Sequence, residues 1–157
     1  MESKLMKVLK VVAENSYDIK ICKTIFAYLE LSYMFYQSAH WQTHGSEFYA
    51  DHLLFQRLYE GVREEIDQMG EKLVGVYGLD HVTLTTRLKN ITTLSNFLNM
   101  DAGQKTYITT AIKLENKLLE QLKTADTLDY SPGVKDLFAG FANDHEGHLY
   151  LLTQRQS

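Results

Sequence analysis

The sequence predicts an all-α protein: a four-helix bundle whose second and third long helices are joined by a long crossover carrying a short extra helix. Three observations predict it. Apolar residues recur in alternating steps of three and four along the long stretches, the period of a helix with one face in a core. No stretch alternates apolar and polar residues as a half-buried strand would. One proline and nine glycines in 157 residues leave few breaks between helices. That length fits a single domain, 1–157, with 1–14 as a short N-terminal arm or helix.

Residues 2–13 read as an amphipathic segment with Leu5, Val8, Leu9 and Val12 on one face and Lys4, Lys7 and Lys10 around the rest. Asn15 and Ser16 are cap residues suited to starting a new helix, with Asp18 in its first turn. Helix A then spans 17–42 on a seam of Ile19, Cys22, Phe26, Leu29, Tyr33, Tyr36 and His40. Gly45 ends it and Ser46 is placed to cap helix B, 47–75. The B seam is Phe48, His52, Phe55, Tyr59, Val62, Ile66, Met69, Leu73 and Val76. Beside it runs a second stripe, Gln56, Glu60, Glu64, Asp67 and Glu71, and Gly75 and Gly78 mark the end.

The crossover, 79–101, holds a short helix around 83–90 or 94–98, so B and C need not be antiparallel neighbours. Helix C spans 103–126 with Ile108, Ala111, Ile112, Leu118, Leu119 and Leu122 inward. Ser131 and Pro132 then give an N-cap followed by proline at the first helical position. Helix D continues to 154 on Val134, Phe138, Phe141, His145, His148 and Leu152. One long connection in a four-helix bundle is the ferritin-like arrangement.

Hydrophobic residues make up 45% and charged residues 23%, as in soluble globular proteins. Cys22 has no intrachain disulfide partner, and a reducing, cytoplasmic compartment is expected. No apolar run is long enough for a membrane span, and no signal-type apolar segment follows the first lysines. The net charge of −4 argues against a surface that coats nucleic acid. Phosphate-binding glycine loops, nucleophile elbows and zinc-type cysteine pairs are missing.

Two sets of residues point to metal chemistry. His40 and His52 occupy seam positions at the same end of A and B, across a short turn. A lone histidine there reads as a satisfied core residue, whereas two together read as ligands. Imidazole suits Fe, Zn and Cu, and carboxylates add a preference for hard ions. Asp67 and Glu71 are spaced i, i+4 and share a face; alone, with Glu60, Glu64 and Glu65, they read as a solvated acidic face. Asp67 comes 15 positions after His52, about 22 Å along one helix at about 1.5 Å per residue. One chain cannot close both on one ion. A second copy packed antiparallel can, which predicts a two-fold dimer with two equivalent metal sites.

The second set is His145 and His148, three apart on D with Asp144 and Glu146 nearby. It reads as a second metal site inside the bundle or as a polar layer. Trp41 is expected to anchor an interface and, beside a redox metal, to donate electrons. His44 and His81 fall in turns as surface groups. Asp126 and Asp129 fit either an ion-entry pore or ordinary turns.

The run His40-Trp41-Gln42-Thr43-His44-Gly45, with Phe48, Ala50, His52, Asp67 and Glu71, resembles the signature of the Dps-type miniferritins, DNA-binding proteins from starved cells. Helix D is similar too, through Asp136, Asp144 and Tyr150. The resemblance implies a hollow homo-oligomeric shell, usually a dodecamer built from two-fold dimers. It implies a ferroxidase that oxidises Fe(II) with hydrogen peroxide or oxygen, stores ferric mineral and protects against oxidative damage. Iron is the metal. His40 and His52 would come from one chain and Asp67 and Glu71 from its partner, with Trp41 close by.

The chain departs from that pattern. Gln56 stands where the family usually has an aspartate reaching a second iron, and a neutral amide is a weaker ligand for a hard cation. Oxidation is then expected to be slow or to recruit Glu60; the alternative is a shell or scaffold with weakened or lost ferroxidase activity. Thr43 and His44 differ from the residues usual before the glycine. Lys4, Lys7 and Lys10 are a thin substitute for a lysine-rich tail, so DNA binding, and the nucleoid association known in the family, is expected to be weak or absent. His145 and His148 lie outside the pattern. A bundle-core di-metal oxidase would need paired Glu-x-x-His motifs, which the sequence lacks.

Overall fold

The computed structural model describes residues 4–98 and 106–157, with side chains described from residue 16 onward. Helix α1 spans Lys4–Gln42, α2 Phe48–Tyr77, α3 Leu84–Leu98, α4 Tyr107–Asp126 and α5 Pro132–Gln156, with a single 3₁₀ turn at Leu79–His81. No strand occurs among the described residues, as the periodicity predicts. No helix there is long and apolar enough to cross a membrane.

The expected break at Asn15 and Ser16 is absent: α1 is one helix of 39 residues. The reason is energetic. Asn and Ser cost only about 0.5 kcal/mol each inside a helix, and neither glycine nor proline interrupts the segment. The crossover likewise forms one helix, α3, where the sequence left two shorter choices open. The beginning of helix C at 103 lies outside the described residues.

Helix α2 begins after Gly45, whose φ of 84° is the left-handed conformation that glycine tolerates best. Its N-cap is Glu47 rather than Ser46, and no side chain caps it. Gly78, with φ of 99°, ends α2 and donates its N–H to the Val74 carbonyl at 3.0 Å. At the head of α5, Ser131 and Pro132 take the predicted N-cap and first-turn positions.

Helix α1 packs against α2 and α4, and α5 against α4 and α2. So α2 and α4 face each other across the bundle diagonal, which the long crossover permits. Helix α3 lies on the outside of α1. There Arg87 donates to the buried Glu30 carboxylate at 2.5 Å and covers the Phe26 ring at 5.4 Å. Lys113 Nζ donates to the Leu98 carbonyl at 2.9 Å and ties the end of α3 to α4. Arg155 near the end of α5 grips Asp51 in the first turn of α2 with two bonds, 2.6 and 3.2 Å.

Ile25, Leu29, Phe55, Leu58, Met69, Leu73, Leu114, Leu118 and Leu152 are fully buried in the core. Each such side chain contributes about 1.5–3 kcal/mol through loss of apolar contact with water. The predicted α2 seam is rotated. Asp51, Phe55, Leu58, Val62, Glu65, Met69 and Leu73 are buried. Phe48 and Val76 are exposed instead, and His52, Tyr59 and Ile66 lie half-buried along the flank. Two adjacent lines of three-four spacing exist on this helix. The inner one wins because its two acids have cationic partners, Arg155 and His145. In α4, Leu114 and Glu115 join Ala111, Leu118 and Leu122 inside, while Ile108, Ile112 and Leu119 flank them.

Candidate functional site

The turn between α1 and α2 brings His40 and His52 face to face. Their rings stack with centroids 3.7 Å apart. His40 Nδ1 donates to the His52 carbonyl at 2.8 Å, and His52 Nδ1 donates to the His40 carbonyl at 2.9 Å. A carbonyl oxygen only accepts, so both Nδ1 atoms carry the proton. In neutral rings the lone pair is then on Nε2, the atom that a metal takes. The reciprocal pair fixes ring orientation without using either Nε2.

Exposed apolar side chains lie next to this pair along the chain, and the Phe48 ring is 4.9 Å from that of His52. Trp41 is 68% exposed, Tyr49 73% and Phe48 42%, and Leu53 is exposed beside them. Asp67 and Glu71 are both exposed on α2, which is unbroken from His52 to Glu71. The chain therefore does not bring the two halves of the predicted site together, as the helix rise requires. Gln56, one turn beyond His52, donates its amide N–H to Glu60 Oε1 at 2.9 Å.

The other histidine pair lies in the bundle core, where every long helix contributes. His145 on α5 donates from Nδ1 to Glu115 Oε2 on α4 at 2.5 Å and from Nε2 to Glu65 Oε2 on α2 at 2.8 Å. Tyr36 on α1 donates its hydroxyl to Glu115 Oε1. His148 Nδ1 approaches Glu115 Oε1 to 3.4 Å. Burial alone would push the Glu115 carboxyl up, but the charge and bond of His145, with the His148 ring beside it, overcome it and hold it down at about 2. Burial would push His145 down, yet the bonds and charges of Glu115 and then Glu65 raise it to about 10. The network is an imidazolium clamped between two carboxylates. Burial and the Glu115 charge push the Tyr36 hydroxyl well up, so it stays a donor.

Glu65 corrects the sequence reading. It was expected on a solvated acidic face, but it is 5% exposed and paired with His145. Glu115 and Tyr36 were not singled out as polar partners. Their only sequence signal is position: Tyr36 on the α1 seam, and Glu115 one residue beyond Leu114. Of the other candidates, His44, Asp126 and Asp129 are exposed, and His81 is half-buried.

This architecture has clear relatives. The structure of Dps from Thermosynechococcus elongatus superposes with a TM-score of 0.79 at 22% identity, covering 92% of this chain and 93% of that one. The Chain has the Dps fold. Dps of Vibrio cholerae O1, described as a member of a broad superfamily of ferritin-like diiron-carboxylate proteins, gives 0.76 at 16% identity over 92% of both chains. Mycobacterium smegmatis Dps gives 0.72 at 15% identity, over 89% of this chain and 85% of that one. In sequence, 69 residues are 32% identical to the nutrient stress-induced DNA-binding protein of a Synechococcus strain. That match spans 42% of this chain and 39% of the relative, well under two thirds of the relative's length. No protein-family model matches the chain. The resemblance to Dps proteins, and the ferritin-like bundle expected from it, are borne out. Within the Dps fold, the His40 and His52 pair sits at the α1–α2 edge and the His145 cluster at the centre of the bundle.

Proposed function

We propose that the protein is an iron-binding ferroxidase and iron store whose oxidation sites form between two copies of the chain. One observation carries this reading: the stacked His40 and His52 rings, with Nδ1 tied down and Nε2 left for a metal, set in an exposed apolar rim. A second copy related by a two-fold axis covers the rim and brings its Asp67 and Glu71 to these rings. Two imidazoles and two carboxylates then hold Fe(II) as substrate, with room for an oxidant. Hydrogen peroxide takes one electron from each of two Fe(II) ions and two protons, and leaves as two waters. The Fe(III) formed passes to mineral inside a closed shell, which the resemblance implies to be a dodecamer. In this reading Trp41, next to His40 in the chain, supplies an electron when a single iron is bound.

Gln56 favours a second reading, a shell with slow oxidation. Its amide is already bonded to Glu60, so the position offers a neutral oxygen where a charged ligand would bind a second iron better. DNA is not part of the proposal: at −4 per chain, few cationic contacts are available for counterion release.

The test is native mass followed by anaerobic Fe(II) titration and peroxide addition. A closed oligomer that binds iron and loses binding in both His52→Ala and Asp67→Ala is expected. Co-expressing the two variants provides the sharper arm. A mixed dimer holds one site with both changes and one intact site, so random pairing should restore about a quarter of the activity. No recovery in verified mixed dimers would overturn the shared site.

A further inference from the structure

We propose that Glu115, His145 and His148 form a divalent transition-metal site inside the bundle, built within one chain and separate from the intersubunit centre. Among the described residues, these three bring one donor atom each within 4.8 Å of one another. Two imidazoles and a carboxylate suit a borderline divalent ion such as Zn(II), Co(II) or Fe(II), and three protein ligands leave a position for water.

The surroundings are those of a supported ligand set. Metal-bound histidines and carboxylates are normally held by outer hydrogen-bond partners. Here Glu65 accepts from His145 Nε2 and turns Nδ1 toward Glu115. A bound ion replaces the Nδ1 proton, which is released to solvent, while Glu65 keeps the proton on Nε2. The Tyr36 hydroxyl holds the other face of Glu115. His148 presents its Nε2 edge to α2, 3.5 Å from where a Cβ on Gly61 would stand, and its Nδ1 edge to Glu115. Glu115 and His145 are sealed from solvent, while the His148 side chain keeps 12% of its exposure, so an ion enters past His148.

The competing account is a structural ion network with His145 clamped by two carboxylates. It explains Glu65, Glu115, Tyr36 and His145, but it leaves His148 Nδ1 without a hydrogen bond. His148 Nδ1 is shielded from solvent and makes no hydrogen bond; Glu115 Oε1 is 3.4 Å away. A buried polar atom left in that state costs about 1–3 kcal/mol. A cation between Glu115 and the two histidines gives this nitrogen a closer partner than the Glu115 oxygen at 3.4 Å.

Co(II) is the probe, because its visible absorption reports coordination directly. The double variant His52→Ala/Asp67→Ala, which disables the intersubunit centre, should still bind one Co(II) per chain. His148→Ala, and separately His148→Gln, should weaken that binding at least tenfold. An anomalous difference map of the unaltered protein with Co(II) should show a peak between Glu115, His145 and His148. The map decides even if a variant misfolds. Absence of the peak at saturating Co(II), loss of all Co(II) binding in a folded double variant, or undiminished affinity in the folded His148 variants each overturns the proposal. Failure of the intersubunit ferroxidase leaves these arms untouched, because none depends on iron oxidation or a second copy.

Discussion

The two histidine pairs of this chain are chemically alike and physically opposite. His40 and His52 donate from Nδ1 to backbone carbonyls, which only accept, so the hydrogen bonds between the two residues leave Nε2 of each uncommitted. His145 lies between Glu65 and Glu115, which hold protons on both of its nitrogens and make it a buried cation. The first pair is completed from outside, by a surface the chain does not itself supply. The second is completed by α1, α2 and α4 of the same chain. The partner, more than the imidazole, sets what each pair does.

The strongest way to break the comparison is to exchange the effects. His145→Ala leaves two carboxylates facing each other without a cation between them, and it should cost about 3–5 kcal/mol of unfolding free energy in urea. His52→Ala should change stability by about 1 kcal/mol or less. It should slow peroxide-driven iron oxidation by more than the roughly 10- to 100-fold that follows loss of an outer metal partner. Comparable destabilisation by both variants would mean that the edge pair is a core element too.

A smaller effect separates the pairs by pH. His145 is raised to about 10 by Glu115 and Glu65 against the opposing effect of burial. A raised folded value means its contribution is complete below the ordinary 6.5 and is lost as pH climbs through 10. Glu115, lowered to about 2, contributes fully above its ordinary 4.5 and loses this as pH falls toward 2. The groups facing His145 are Glu65 from α2, Glu115 from α4 and His148 from α5, and Tyr36 from α1 donates to Glu115 behind it. Chelator-treated protein should therefore lose stability between pH 7 and 10, on the order of a few kcal/mol, and His145→Gln should flatten that slope. Equal slopes in both proteins would remove the clamped imidazolium.

The same contrast decides what was legible in the sequence. His40 and His52 could be paired on paper because a short turn joins their helices. Their separation from Asp67 followed from helix rise alone. Glu65 was misread because an acid within an acidic run looks solvated, and its partner lies 80 positions away on α5. Glu115 is 30 positions from His145 and carries no local mark of burial. The rotation of α2 was illegible for the same reason. Both of its seams have helical spacing, and the choice depended on Arg155 and His145, which only the fold brings near. Asn15 and Ser16 misled in the other direction, since cap residues without a following break do not stop a helix.

Gln56→Asp should give the smallest effect, and it acts on the edge pair alone. Gln56 lies one turn beyond His52 on the same face of α2, and Glu60 one turn further. At present the Gln56 amide donates to Glu60, which uses a carboxylate oxygen that would otherwise be open to a cation. An aspartate cannot donate that bond. It frees Glu60 and adds a negative charge beside the two Nε2 atoms, at the cost of mutual repulsion between the acids until iron arrives. Iron binding should tighten and initial oxidation should rise several-fold, with more iron bound per chain at saturation. Stability without iron should fall slightly, because like charges at i, i+4 cost about 0.2–0.5 kcal/mol. Stopped-flow absorbance after mixing Fe(II)-loaded protein with peroxide measures the rate. An unchanged or lower rate would mean that Gln56 lies outside the oxidation site, and the slow-shell reading would lose its motive.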